Sequence, residues 1–237
     1  MDLSKQTLLV IAPHPDDEVL TCGGLIKKIK NKGGKVYVLF LTNGYMKDFS
    51  EKGFSSQDER KKEIEKVAHI LEIDGWKIAF PGNDYHMKLD TIPQIEIITN
   101  IEKGDRISIE EVRPTIIATT QHADYNQDHR ATNLAVLSAT RPAPKKYKHR
   151  THLVIGYEFT ATVNWGPEPF LQRNLYIPLT RAELDAKKDA MASYTSQVRE
   201  GPHTRNLDQI EYLARVRGAS CGEELAESYH IYRHILA

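Results

Sequence analysis

The first forty residues of the chain alternate an apolar run, an amphipathic segment and a second apolar run, and this order limits the fold more than any other feature. Residues 7–12 and 36–42 are rich in Leu, Val and Ile, as strands buried on both faces are. Between them, apolar residues recur at helical spacing from Asp17 to about Asn31, and two glycines follow. A strand, a helix and a strand of these lengths form a right-handed crossover unit, so the sequence predicts part of a doubly wound sheet.

The same alternation continues along most of the chain. Further helices are predicted at residues 56–71, 93–101 and 128–140, and further strands at residues 76–80 and 114–120. The fold class that follows is α/β, Rossmann-like and doubly wound, with a mostly parallel sheet.

Beyond Pro144 the order changes. Two strands are predicted at residues 152–160 and 175–177, and a helix at residues 181–194. We expect this part to form a C-terminal capping segment that covers the sheet and shapes a pocket.

Length and composition favour one domain. The 237 residues are 40% apolar and 27% charged, as in ordinary globular proteins, and no Gly/Ser linker divides them. We therefore predict a single domain over residues 1–237, with a Rossmann-like core at 1–141 and cap and pocket elements at 142–237. The two cysteines, Cys22 and Cys221, are far apart in sequence, which excludes a disulfide framework or a thiolate zinc site.

The balance of charges bears on the partners. The formal net charge is zero, so the field of the whole protein gives no reason to expect nucleic acid or an anionic membrane as a partner. The basic run at residues 145–150 is the local exception, and we interpret it as a solvated loop in preference to a binding patch. The N-terminal apolar run is too short to span a membrane and lacks a signal-peptide cleavage site, so we expect a cytoplasmic protein without a membrane segment.

A polar cluster follows the first strand and reads Pro-His-Pro-Asp-Asp-Glu over residues 13–18. It lies at the carboxyl end of a parallel strand, where α/β sheets bind ligands. Catalytic zinc takes three imidazole or carboxylate ligands and keeps one position open for water, and His14 and Asp17 could supply two of them. As an alternative, the three acids are only favourable charges in the first turn of a helix, but this leaves His14 between two prolines unexplained.

A second polar cluster, residues 121–130, follows the strand predicted at 114–120. In a doubly wound sheet the first strand usually neighbours the fourth main strand, so the two clusters should face each other. A third metal ligand is expected from this cluster. His122 and His129 are both candidates, and their spacing alone does not choose between them.

Together these residues resemble the zinc-dependent deacetylases of the PIG-L or LmbE-like family. The run at residues 13–18 looks like the hallmark of that family, Asp128-His129 resembles its second motif, and weaker echoes occur at residues 60–63, 190–197 and 226–229. The resemblance covers nearly the whole chain, which it identifies as one LmbE-like deacetylase domain.

The resemblance implies an activity and a set of roles. The activity is removal of an N-acetyl group from a small substrate that contains an amino sugar, by attack of a zinc-bound water. His14, Asp17 and His129 would bind the zinc, for which Fe²⁺ is an alternative that suits the same ligands. Asp16 would be the general base, and Asp128 would orient His129 or another imidazole from behind.

Other residues are implied less directly. The resemblance places Arg60 near the substrate, with a solvated residue on a charged helix as the alternative. The commoner family pattern is His-Pro-Asp-His, but Asn126 and Gln127 stand before Asp128, so the histidine that stabilises the oxyanion is missing. We expect Asn126 to line the site in its place.

Several alternatives stay open. His122, His203 or His230 could supply the missing imidazole. The substrate could carry another N-acyl or amide bond, such as an N-formyl sugar or a thiol-conjugate amide. A further alternative is a non-catalytic relative that binds a sugar or a nucleotide. Nucleotide binding is disfavoured because no phosphate-binding glycine loop follows the first strand. A homo-oligomer is compatible with the sequence.

Overall fold

A mostly parallel sheet with helices on both faces forms the centre of the protein in a computed structural model, which describes residues 1–44, 46–47, 53–159 and 172–236. The strands within these ranges are β1 (Thr7–Ala12), β2 (Lys35–Thr42), β3 (Met46–Lys47), β4 (Phe54–Ser55), β5 (Gly75–Phe80), β6 (Ile116–Thr119), β7 (Leu153–Tyr157), β8 (Leu175–Pro178) and β9 (Ala226–His234). The helices are α1 (Asp17–Asn31), α2 (Gln57–Ile70), α3 (Gln94–Lys103), α4 (Ile109–Val112), α5 (Gln127–Ala139), α6 (Arg181–Ser193) and α7 (Leu207–Ala219).

The order of strands in the large sheet is β5-β2-β1-β6-β7-β9-β8. Strand β1 pairs in parallel with β2 and with β6, and β7 pairs in parallel with β6. The predicted α/β, doubly wound class is confirmed, and β1 does neighbour the fourth main strand. The crevice at which the strand order reverses therefore lies between β1 and β6, where such folds bind ligands.

The part of the chain beyond Pro144 does more than cover the sheet. Strand β9 pairs antiparallel with β7 and with β8, so the C-terminal part extends the same sheet at one edge. Helices α6 and α7 then pack on the face that carries α1. The structure of the C-terminal part is thereby continuous with that of the core.

Strand β1 is buried on both faces, as its apolar sequence predicts. Leu8 and Val10 belong to one apolar cluster and Leu9 and Ile11 to another on the opposite face, and none of the four is accessible to solvent. Burying a side chain of this size is worth about 1.5–3 kcal/mol. The two apolar layers hold fixed the strand whose carboxyl end carries the first polar cluster.

Helix α1 is packed unusually closely because it contains two adjacent glycines. A Cβ atom on Gly24 would lie 2.5 Å from a methyl group of Leu179, and one on Gly23 would lie 2.7 Å from the Cγ atom of Lys187. The Glu227 carboxylate of β9 also accepts hydrogen bonds from the Gly24 and Leu25 backbone N–H groups, at 2.9 and 2.8 Å. The C-terminal part therefore packs closely against α1, the helix that follows the first polar cluster, and forms hydrogen bonds with its backbone.

The predicted elements agree with the structure to within a few residues. Strand β1 and helix α1 have the predicted bounds, whereas β6 and β7 are shorter than predicted, and Thr160 lies outside the described residues. Helix α7 and strand β9 were not predicted. No helix in the described ranges is long and apolar enough to cross a membrane.

The buried carboxylate of Glu158 joins three pieces of the C-terminal part. It accepts hydrogen bonds from Arg217 at 2.6 and 2.8 Å, from Arg173 at 2.5 Å and from the Ser228 hydroxyl at 2.7 Å. Burial alone would raise the pKa of Glu158, but these donors lower it to about 2. Because this pKa lies below the ordinary value of about 4.3, the ionised carboxylate stabilises the fold above that pH, and the contribution is lost as the pH falls toward 2.

We therefore expect Glu158→Gln to lower the free energy of unfolding at pH 7 by roughly 2–3 kcal/mol. The difference in the free energy of unfolding between wild type and variant should shrink between pH 5 and pH 3, because the wild-type carboxylate becomes protonated there. Urea unfolding at a series of pH values measures both effects. Glu224→Gln is the control because its side chain is 72% exposed, and a Glu158→Gln protein with the wild-type pH dependence would contradict the expectation.

Candidate active site

Three donor side chains from the two polar clusters meet at the carboxyl ends of β1 and β6. The Asp17 Oδ2 atom lies 3.6 Å from His14 Nδ1 and 3.4 Å from His129 Nε2. One ligand atom from each residue lies within 4.8 Å of the others, and all three residues are buried. The geometry therefore favours His129 over His122 as the partner of His14 and Asp17.

The turn between β1 and α1 sets the positions of His14 and Asp17. The Pro13 carbonyl accepts a hydrogen bond from the Thr42 backbone N–H at 3.0 Å, and the Pro15 carbonyl accepts one from Arg60 at 2.6 Å. Between these anchors Asp16 has a φ angle of 110°, a conformation that costs about 1–3 kcal/mol for a residue other than glycine. In this conformation the Asp16 side chain lies against Arg205, and the Asp17 side chain lies near the two histidines.

Each of the two imidazoles is held from behind by a carboxylate. His14 Nε2 lies 2.9 Å from Asp128 Oδ2, and His129 Nδ1 lies 2.7 Å from Asp124 Oδ2. When a carboxylate accepts the proton of one ring nitrogen, the other nitrogen presents its lone pair, and this is the usual support of metal-bound histidine. Asp128 thus lies behind His14, and Asp124 takes the corresponding place behind His129.

The electrostatics of this group favour a cation. Burial alone would lower the pKa of His129, but Asp17 and Asp124 raise it to about 10. Burial alone would raise the pKa of Asp17, but His129 and then His14 lower it to about 2. The carboxylates therefore stabilise a positive charge at the point where the three donors converge, and a divalent cation could provide that charge in place of a proton.

One atom supports a metal more directly than the charges do. Asp17 Oδ1 is fully buried and has no hydrogen-bond partner among the described residues. A buried carboxylate oxygen without a partner is costly, and coordination to a metal would remove that cost. Two imidazoles and one carboxylate are also a ligand set that catalytic zinc uses.

Asp16 lies beside the three donors but is bound differently. It is 1% exposed, and its Oδ2 atom accepts a hydrogen bond of 2.8 Å from Arg205 Nε. Burial raises the pKa of Asp16, with a smaller contribution from Asp17, while Arg205 opposes the increase. Arg205, from the segment before α7, was not singled out in the sequence because it belongs to no periodic element.

The structure places a further imidazole at the site, and the sequence analysis did not predict it. His86 lies in the loop after β5, is 8% exposed, and has its ring 4.9 Å from that of His14. Its Nδ1 atom lies 3.2 Å from the Thr42 hydroxyl, while Nε2 is buried without a hydrogen-bond partner among the described residues. The approach depends on Gly44, since a Cβ atom there would lie 2.3 Å from the Cβ atom of His86.

The other predicted site residues lie around this centre. Arg60 is fully buried, so its alternative as a solvated residue is wrong, and it donates to the Pro15 carbonyl and to Ser196 Oγ. Asn126 caps α5 by accepting a hydrogen bond from the Asp128 backbone N–H. His122 is half-buried and lies in the loop after β6.

The remaining candidates for the missing imidazole lie elsewhere in the C-terminal part. His203 is exposed, but its Nδ1 atom accepts a hydrogen bond of 3.0 Å from the backbone N–H of Arg205, the residue that holds Asp16. His230 lies on β9, with its ring against Tyr232 and its Nδ1 atom 2.9 Å from the Gln172 carbonyl oxygen. Within the described residues neither contacts His14 or His129, in contrast to His86.

Comparison with known proteins identifies relatives of this arrangement. The family model described as PIG-L, GlcNAc-PI de-N-acetylase, matches residues 9–140, which is more than half of the chain. A probable N-acetyl-alpha-D-glucosaminyl L-malate deacetylase 2 of Bacillus cereus is 28% identical over 157 residues, covering 63% of this chain and 68% of the relative. The diacetylchitobiose deacetylase of Thermococcus kodakarensis is 26% identical over 238 residues, covering 96% of this chain and 85% of the relative.

Solved structures share the fold. A conserved protein from Thermus thermophilus superposes with a TM-score of 0.74 at 26% identity, covering 98% of this chain and 97% of that one. The 4-carboxy-2-hydroxymuconate hydratase GalB of Pseudomonas putida superposes with a TM-score of 0.76 at 16% identity, covering 98% of each chain. At that identity the likeness concerns the fold alone, and a fold can host several chemistries.

The carboxylate behind His129 offers a test of the metal centre. We expect Asp124→Ala to weaken binding of a divalent metal about 10- to 100-fold, because the ring of His129 loses its orientation and its charge support. Asp124→Asn should lose less of its metal affinity, since the amide oxygen still accepts a hydrogen bond from His129. Competition with a chromophoric chelator, with zinc as the probe ion, measures the affinity.

The matched control is Asp90→Ala, because Asp90 is exposed and lies outside the donor group. Thermal unfolding of the metal-free proteins shows whether each variant is folded. An Asp124→Ala protein that binds zinc as tightly as the wild type would contradict the role assigned to Asp124.

Proposed function

This chain belongs to the PIG-L, GlcNAc-PI de-N-acetylase family, and from that premise we propose that it is a metal-dependent hydrolase that removes the N-acetyl group of an amino-sugar substrate. The observation that carries the proposal is the buried group of His14, Asp17 and His129, in which Asp17 Oδ1 lacks a partner among the described residues. Two relatives, a probable N-acetyl-alpha-D-glucosaminyl L-malate deacetylase and a diacetylchitobiose deacetylase, support an acetylated amino sugar as substrate.

Zinc is the metal that we propose, and His14, Asp17 and His129 would hold it. When bound in such a site, zinc lowers the pKa of water to about 7 and polarises a carbonyl group. The carboxylates of Asp128 and Asp124 keep the two imidazoles in the tautomers that present a lone pair to it. Fe²⁺ would suit the same nitrogen and oxygen donors.

Asp16 is the proposed general base. It lies next to the donor group in sequence and in space, yet its carboxylate binds Arg205 instead of the two histidines. In this role Asp16 accepts a proton from the attacking water and later donates it to the amine nitrogen that leaves. A base with a raised pKa is suited to both transfers, because it holds the proton long enough to pass it on.

His86 is the proposed donor to the carbonyl oxygen of the acyl group. The pKa of His86 is lowered to about 3, chiefly by burial and then by His14, so that the ring is neutral at pH 7. The Thr42 hydroxyl has two acceptors within reach, Nδ1 at 3.2 Å and the Pro13 carbonyl oxygen at 3.3 Å. In the role proposed here it donates to Nδ1, so that Nε2 carries the proton and donates it to the oxygen as negative charge develops. Neutral imidazole acts as such a donor in other enzymes, and His86 would thereby replace the histidine absent at Asn126.

The function is tested by acetate release from a panel of N-acetylated amino sugars, including N-acetylglucosaminyl malate and diacetylchitobiose. We expect Asp16→Asn to lower kcat by at least about 10²-fold while the metal content stays at the wild-type level, since the general base is lost but the ligands remain. Elemental analysis of the same samples measures the metal.

His14→Ala provides the contrast, because it should lose both metal and activity. Acetate release by wild type with no effect of Asp16→Asn would contradict the base assignment. A wild-type protein that retains metal but releases no acetate, and releases formate or another acid from the corresponding N-acyl compounds, would replace the N-acetyl substrate with the alternative acyl group.

The role of His86 has a separate test. We expect His86→Ala to lower kcat about 10²-fold with KM and metal content little changed, because the lost hydrogen bond strengthens only in the transition state. His86→Gln should keep part of the rate, since its amide can also donate. His69→Ala on the exposed face of α2 is the control, and a His86→Ala enzyme with wild-type kcat would rule out this role.

A further inference from the structure

A polar cavity lies at the opposite edge of the sheet from the candidate active site. Its volume is about 200 Å³, and it is lined by Arg113, Lys145, Lys148, His149, Arg150 and His152. Arg113 precedes β6 and His152 precedes β7, so the cavity lies at the amino ends of these strands. The length of chain from Pro114 to Thr120 separates it from the active site by roughly 20 Å, at about 3.3 Å per residue.

The lining carries one sign of charge. Among the described residues, every side chain that lines the cavity is basic and none is acidic. Two nearby carboxylates offset part of this charge: Glu102 binds Lys148 and Arg141, both at 3.0 Å, and Glu110 lies 3.8 Å from Arg113 and accepts the His149 backbone N–H at 3.0 Å. The four Lys and Arg side chains of the lining outnumber these two carboxylates, so the cavity keeps an excess of positive charge and attracts anions.

Arg150 is the residue that points most clearly to a ligand. Its Nε atom is buried and has no hydrogen-bond partner among the described residues. Its charge is also unfavourable to Arg233, whose pKa is lowered by burial and then by Arg150. An anion bound in the cavity beside Arg150 would offset this unfavourable pair of charges, because the guanidinium group binds tetrahedral oxyanions through two parallel N–H groups.

Two of the residues that line the cavity have positions fixed by the fold. Arg113 ends α4 in the left-handed conformation, with a φ angle of 50°, where glycine would be less strained. Lys148 is 8% exposed although it carries a charge, and it is held by Glu102 and by the Ala139 carbonyl. The basic run at residues 145–150 is thus partly built into the protein, and its interpretation as a wholly solvated loop is incomplete.

We propose that this cavity binds a small oxyanion of the phosphate class, either inorganic phosphate or the phosphoryl group of a small ester. Binding pockets for drug-sized ligands have volumes of about 300–1,000 Å³, so this smaller cavity suits a single phosphoryl group better than a nucleotide. A nucleic acid is disfavoured because it is bound along an extended basic surface, whereas these side chains converge on one cavity.

Isothermal titration with inorganic phosphate, at constant ionic strength, tests the proposal on the full-length protein. We expect saturable binding at one site and at least a tenfold loss of affinity in Arg150→Gln, because a guanidinium group in the cavity is removed. Lys146→Gln is the matched control: it removes one charge from the same run but does not line the cavity, and its affinity should stay within twofold of wild type. Glycerol 3-phosphate in a parallel titration distinguishes an ester site, which binds it more tightly, from a site for the free ion.

Two further measurements make the result specific. Phosphate can also bind metal centres, so His14→Ala should retain the binding if the cavity is the site. If thermal analysis shows that the Arg150→Gln protein is unfolded, the Lys145→Gln protein is used in the titration instead. The proposal is overturned if phosphate gives no saturable binding, if Arg150→Gln and Lys146→Gln lose affinity equally, or if only a single-stranded oligonucleotide binds.

Discussion

Three consecutive buried carboxylates, Asp16, Asp17 and Glu18, are the constraint on which the rest of the structure depends. Each is at most 1% exposed, and unpaired charges so close together in an apolar interior would be prohibitive. The protein gives each of the three acids a different partner. Asp17 faces His14 and His129, Asp16 faces Arg205, and Glu18 accepts a hydrogen bond of 2.6 Å from the Tyr194 hydroxyl. Burial raises the pKa of Glu18 to about 8, so this third acid is largely neutral near pH 7.

Residues from two of the weaker family resemblances, 60–63 and 190–197, form contacts that support the same polar cluster. Glu63 on α2 accepts hydrogen bonds from the backbone and hydroxyl groups of Ser196, both at 2.8 Å, and Ser196 in turn binds Arg60. Arg60 then holds the Pro15 carbonyl within the turn. These contacts join α2 and the segment after α6 to the polar cluster after β1. These residues therefore support the geometry of the site from outside it. Contact with a substrate is not needed for that role.

The sequence predicted the elements with a clear apolar pattern and the candidate donors that lie next to them. Strand β1 was predicted from a continuous apolar run and helix α1 from apolar residues at helical spacing, and His14, Asp17 and His129 lie near their ends or at the start of α5. Helix α7 and strand β9 were missed. The fully buried half of β9, residues 226–229, is Ala-Glu-Ser-Tyr and therefore contains no apolar run. Asp124, Arg205 and His86 were also missed as site residues. They lie in loops, where position follows from tertiary contacts and no local pattern reports it.

The same contacts bear on the division of the chain into a core and a cap. The core at residues 1–141 contains His14, Asp17 and His129, but the partners of Asp16 and Glu18, namely Arg205 and Tyr194, come from the C-terminal part. Glu227 also binds the backbone of α1 at Gly24 and Leu25. Removal of the C-terminal part would leave Asp16 without the Arg205 cation and Glu18 without the Tyr194 hydrogen bond, and a buried acid without its partner is destabilising. We infer that the two parts fold as one unit, because these two acids of the core have partners in the rest of the chain.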